Sequence, residues 1–166
     1  CYDMTYIHIP DNVTSIGNDA FYGCLKLNDL TLPKGLTSLG ERALGQCEGL
    51  TEICVPSGIS TLSNSPFQYC KNLSSVSLPE NLTSIGEFAF NGCSSLISIT
   101  IPDSVTSIGE LAFSGCTNLQ EFNNINASSD KRSMIFDGVL NCFAPGGITE
   151  YVIPVGVTSI GRYAFS

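Results

Sequence analysis

Apolar and polar residues alternate in short bursts along this chain. Residues Leu96 to Ile101 read L-x-x-I-x-I, the period-two pattern of a half-buried strand, with Leu and Ile facing in and Ser and Thr facing out. Equivalent bursts at 4–9, 27–32, 50–55, 73–78 and 148–153 predict, with 96–101, six strands of one parallel sheet. A proline follows each burst and ends it, because proline donates no ladder hydrogen bond. A Val-Thr-Ser-Ile-Gly segment then predicts a turn, with Gly17, Gly40, Gly86, Gly109 and Gly161 supplying positive φ. The following x-x-Ala-Phe-x-x-Cys stretch is too short for a full helix. It predicts a 3-10 or single helical turn that stacks Phe21, Phe67, Phe90, Phe113 and Phe165 in the core.

These elements recur with a fixed period. Cys1, Cys24, Cys47, Cys70, Cys93 and Cys116 are spaced by 23, and so are Pro10, Pro33, Pro56, Pro79 and Pro102. A period in this range signals a solenoid, since one unit cannot cover its own apolar face and a stack of units can. Register breaks once: Pro102 and Pro154 are 52 residues apart, six more than two repeats. The pattern predicts one domain over 1–166, about seven coils, with an irregular insertion unit at 119–147. Both ends fall inside the repeat pattern, so a longer array is expected. Within the insertion, Asp137-Gly138 between Met134-Ile135-Phe136 and Val139-Leu140-Asn141 predicts a hairpin with a type I′ turn, outside the regular coil path.

The consensus I-P-x-x-V-T-S-I-G-x-x-A-F-x-x-C resembles the BspA-like branch of the leucine-rich repeats over 1–118 and 148–166. The resemblance implies a leucine-rich-repeat solenoid: a curved parallel β-sheet on the concave face, short 3-10 or helical turns on the convex side, and one β-hairpin insertion. It also implies an extracellular or cell-surface protein of a host-associated organism, bacterial in most relatives. Such relatives act as adhesins for host matrix or plasma proteins. The alternative is a structural spacer that projects another domain from the cell surface. The family brings no shared catalytic motif.

Composition narrows the function further. The net charge is −8 with only 7 basic residues, too few for a groove that tracks phosphates, so nucleic acid is excluded as a partner. No apolar run approaches the ~18 residues of a membrane span. The in-register cysteines lack the close-pair spacing of a zinc site and predict a buried ladder of free thiols instead. Cys54 lies out of register on an outward position, roughly 9–10 Å from His8 across two coils, too far for a nucleophile pair. Cys142 also lies out of register, on the hairpin. The carboxylates are scattered over different coils without calcium-loop spacing. No phosphate loop or nucleophile elbow is present, so the chain reads as a non-enzyme without cofactor or metal. A protein ligand is expected on the concave face. The outward positions there are Tyr6, His8, Asp29, Thr31, Glu52, Ser75, Ser77, Ser98, Thr100, Glu121 and Glu150. Tyr6 and His8 are the best anchors in an otherwise small, polar set.

Overall fold

The computed structural model describes all residues from Cys1 to Ser166. Its fourteen strands are two to five residues long and fall into two rows on the regular coils. The first row is β1 (Tyr6–Ile7), β3 (Asp29–Leu30), β5 (Glu52–Cys54), β7 (Ser75–Ser77), β9 (Ser98–Thr100) and β11 (Glu121–Asn123). The second is β2 (Ser15–Ile16), β4 (Ser38–Leu39), β6 (Thr61–Leu62), β8 (Ser84–Ile85) and β10 (Ser107–Ile108), with β14 (Ser159–Ile160) in the last coil. Every pairing within the two rows is parallel and joins residues 23 apart, as Tyr6 with Asp29 and Ser84 with Ser107. The repeat is thus a coil of a parallel β-solenoid, and the polar/apolar alternation holds: Ile53 and Ile99 are buried, while Glu52, Cys54, Ser98 and Thr100 are exposed.

The second row was not anticipated; Val-Thr-Ser-Ile-Gly read as a turn. Its strands pair over two residues, too short for an alternating pattern to stand out. Its glycines do not have positive φ either. They are required by close approach: a Cβ on Gly40, Gly86 or Gly109 would lie 2.5, 2.3 or 2.4 Å from backbone of the preceding coil. Positive φ falls instead on non-glycine residues of the next segment: Asp19, Arg42, Ser65, Phe88, Leu111 and Tyr163. One intra-turn bond of a 3-10 turn is present there, such as Tyr22 N–H to Asp19 O at 3.1 Å. The left-handed residues keep the segment from becoming a helix and aim alternate amides along the stack, as in Phe90 N–H to Ala112 O at 2.8 Å.

Beneath these layers run two side-chain ladders. Phe67, Phe90 and Phe113 stack with centroids 5.4 Å apart, and Phe122 closes the stack edge-on at 5.1 Å. Leu44 fills the equivalent place in the second coil; Phe21 is half-buried, and Phe165 packs on Phe143 instead, 49% exposed. The cysteine ladder explains its own residue choice. The thiols of Cys47, Cys70, Cys93 and Cys116 donate to the carbonyls of Phe21, Leu44, Phe67 and Phe90, at 3.1–3.2 Å. A small apolar side chain with one weak donor fits a core site that presents a carbonyl. Burial pushes the Cys47 thiol up to about 11 and the Cys116 thiol up to about 12, and raises Cys70, Cys93 and Cys142 as well. Cys24 departs from the expected free ladder: it is disulfide-bonded to Cys1, with Cα atoms 4.9 Å apart. That separation is within the range a disulfide spans.

The insertion forms a hairpin of β12 (Ser133–Phe136) and β13 (Val139–Phe143). Asp137 and Gly138 both have positive φ, 50° and 78°, as a type I′ turn requires. The hairpin does not lie outside the coil path, however. Gly138 O accepts Thr158 N–H and Leu140 O accepts Gly161 N–H, both at 2.8 Å, just as Thr83 O and Ile85 O receive Thr106 and Gly109. Asp-Gly-Val-Leu therefore stands in register with Val-Thr-Ser-Ile, and β13 pairs with β14. The predicted strand at 148–153 does not form. Its place beside β11 is taken by the insertion: Lys131 O accepts Phe122 N–H, and Arg132 O accepts Ala144 N–H, each at 2.7 Å.

Candidate functional site

The first strand row carries two adjoining grooves. The larger, about 420 Å³, has Leu30, Leu32 and Ile53 in its floor and Thr31, Cys54, Ser75 and Ser77 around its mouth. The smaller, about 180 Å³, is lined by Tyr6, His8, Asp11 and Asp29. Thr31, Leu32 and Lys34 border both, so the depression runs across the first four coils. Its strands supply outward side chains two residues apart, and the Pro33 and Pro56 bends supply its side wall.

The larger groove lies over an irregular junction. Between the second and third coils neither strand row is paired: β3 does not join β5, nor β4 join β6. Nowhere else among the first five coils are both rows open. The sequence also departs from the repeat here. Ser63 occupies the position held by Gly40, Gly86 and Gly109 in neighbouring coils. A Cβ there meets backbone when the coils stack in the ordinary way. At this junction Ser63 bridges the coils through its side chain, its hydroxyl donating to Gly40 O at 2.9 Å. Gly49 and Gly58 also stand where Asn72 and Asn81 bridge the next junction, to Glu48 O and Ser57 O. The convex side stays closed, with Arg42, Leu44 and Gln46 N–H groups bonded to Asn64, Pro66 and Gln68 O.

The expected binding residues divide into five groups. Tyr6, His8, Asp29 and Thr31 line the smaller groove; Thr31, Glu52, Ser75 and Ser77 line the larger. Ser98 and Thr100 are exposed on β9, farther along the same face. Glu121 is half-buried on β11 and has a cation beside it, Lys131 Nζ at 3.8 Å, while that ammonium donates to Asn123 Oδ1 at 2.9 Å. Glu150 is exposed but belongs to no strand of the row, because 148–153 is displaced from it. Two charged groove residues, Asp11 and Lys34, were not singled out from sequence. Lys34 had a readable signal: it follows the repeat proline where other coils carry Asp11, Ser57, Glu80 and Asp103.

Charge is distributed unevenly around this site. Elsewhere ion pairs link successive coils, as Lys26–Asp3, Arg42–Asp19 and Lys71–Glu48, each 23 residues apart. Asp11, Asp29 and Glu52 have no such partner, nor does Lys34. Cys54 at the groove mouth is the exposed member of the free thiols, and all others are buried. The arrangement offers an apolar floor with hydrogen-bonding and charged groups at its rim, the chemistry of a docking surface.

Comparison with known proteins places this architecture. Residues 1–138 match the BspA type leucine rich repeat region, in six copies. Among curated proteins, no sequence matches the chain. A leucine rich cell surface protein of Faecalibacterium prausnitzii A2-165 is similar in structure, with a TM-score of 0.80 and 32% identity over 92% of this chain and 42% of that one. A leucine-rich repeat protein of Bacteroides ovatus gives a TM-score of 0.73 and 32% identity over 92% of this chain and 38% of its own. The pneumococcal vaccine antigen PcpA shares the fold at 22% identity and a TM-score of 0.74, over 94% of this chain and 41% of that one. The chain spans less than half the length of each of these three proteins. No helix is long and apolar enough to cross a membrane. With its 23-residue coil, its parallel rows and this match over most of its length, the chain belongs to the BspA-type leucine-rich-repeat family.

Proposed function

We propose that this chain is a protein-binding segment of a bacterial cell-surface or secreted protein, with its ligand on the first strand row and no reaction of its own. The observation that carries this reading is the pair of adjoining grooves across the first four coils, on an otherwise even face of small polar side chains. The cell-surface description of a similar protein supports the location. Host matrix and plasma proteins are the proposed ligand class. The test is binding of the chain to a panel of purified, immobilised matrix and plasma proteins. An arginine at Ser77, in the groove mouth, should abolish capture, and an arginine at Glu87, on the far side of the coil, should not. Loss of capture in the Glu87 variant alone would place the ligand elsewhere and contradict the proposal.

The spacer reading has one observation of its own. Backbone ladders, thiol–carbonyl bonds and ion pairs join successive coils, which makes the stack stiff along its axis. A chain that binds none of the panel favours the spacer.

A further inference from the structure

The identity of the groove's occupant can be taken one step further, resting on the protein-binding reading above. We infer that the groove over the second and third coils takes an extended cationic peptide segment of the partner. Asp29 and Glu52 stand at equivalent positions of adjacent coils, and Asp11 lies beside the smaller groove. All three are exposed and without a cation partner, against a single unpaired Lys34. The rest of the face is different: Ser75, Ser77, Ser98 and Thr100 are neutral, and Glu121 already has Lys131 beside it. Unneutralised negative charge on this face therefore gathers along the two grooves, with Asp11 and Asp29 on the smaller and Glu52 on the larger, and the chain's net charge of −8 has the same sign.

Shape agrees with charge. The floor of Leu30, Leu32 and Ile53 lies at the junction where neither strand row is paired and where Ser63 takes the glycine position of the repeat. An extended segment places alternate side chains on opposite faces. Apolar side chains on one face reach this floor, and flanking Lys or Arg side chains reach the carboxylates at its rim. A folded basic surface would meet the rim but leave the floor empty.

The test uses the full chain and a fluorescein-labelled ten-residue peptide of alternating Lys and Leu, read by anisotropy, with an alternating Glu and Leu peptide as the control. The Lys peptide should bind and the Glu peptide should not. Neutralising both rim carboxylates, Asp29→Asn with Glu52→Gln, should weaken binding about tenfold or more and flatten its salt dependence. Ser63→Gly changes no groove-lining residue. It should also weaken binding, by letting the rows close over the floor. Equal binding of both peptides, or wild-type affinity in the double variant, overturns the inference. A chain that ignores the Lys peptide yet captures a panel protein through Ser77 also overturns it, while the broader protein-binding reading stands.

Discussion

The solenoid departs from its own repeat twice, and the two departures act on the strand face in opposite ways. At Ser63 one hydroxymethyl group replaces a hydrogen, and at that junction both rows are unpaired beside a groove with an apolar floor. In 119–147 extra residues enter, and the face closes: Lys131 and Arg132 take the place beside β11, and Lys131 reaches across to Glu121 and Asn123. The core registers neither change. The cysteine ladder crosses the Ser63 junction through the Cys70–Leu44 bond, and the phenylalanine stack runs on into Phe122 at the edge of the insertion. In a repeat protein each coil touches only its neighbours, so a local departure alters one junction and leaves the others alone. Binding character can then be placed at one point of an even stack.

The largest expected effect tests whether the core is continuous through both departures. Burial holds the five thiols of Cys47, Cys70, Cys93, Cys116 and Cys142 above the ordinary value of 9.0. Their folded-state values are raised, so the stabilisation is complete below pH 9 and is lost as pH rises toward the folded values. The loss is about 1.4 kcal/mol per thiol per pH unit. Circular dichroism should show one cooperative alkaline unfolding transition between about pH 9 and 11, a window bounded by the ordinary thiol value and the one reached by Cys47. Two separated transitions would mean that one departure divides the core.

A second wedge can be built elsewhere. Gly109→Ser places a Cβ 2.4 Å from Glu87 N, whereas a Cβ at Gly17 meets nothing within 4 Å. Urea midpoints should show a loss of about 1–3 kcal/mol for the first and little change for Gly17→Ser. Equal effects would remove the steric account of the Ser63 junction. On the insertion side, Gly138→Val forces a β-branched residue to a φ of 78°, with Thr158 Oγ1 only 2.8 Å from its Cβ. The expected loss is about 1–2 kcal/mol, and an unchanged midpoint would contradict the type I′ turn. The smallest effect is local. Thr37, Thr83 and Thr106 N–H groups bond to the preceding coil, and Ser60, their counterpart at the open junction, does not. Its amide should exchange faster than theirs by hydrogen exchange, and Ser63→Gly should slow it.

The fold was legible because its signals repeat. One alternating burst is ambiguous, but five in-register prolines and six in-register cysteines leave little choice of architecture. What escaped had no repeat signal or had two physical explanations. A turn glycine that recurs in the repeat reads as positive φ or as close approach, and only the position of the neighbouring coil separates them; Gly40 and Gly109 are the second case. The strand at 148–153 matched the pattern well, yet the hairpin's own segment competed for the same hydrogen bonds and won. The candidate site was legible as a face but not as a groove. Tyr6, Asp29 and Glu52 followed from strand alternation. The groove beneath them lies at a junction marked in the sequence only by Ser63, which follows a strand of the other row and does not line the groove.

Cys54 offers the most direct measurement of the central claim, that ligand enters at the open junction. Maleimide carrying a polyethylene glycol chain should label the native protein once, at the exposed Cys54, because the other free thiols are buried. The bulky adduct then stands at the mouth of the larger groove without any mutation of its floor or rim. The account predicts that the singly labelled chain loses the Lys–Leu peptide and the panel ligand together, and that removing the label by using Cys54→Ser restores both. Full binding by the labelled chain would contradict it.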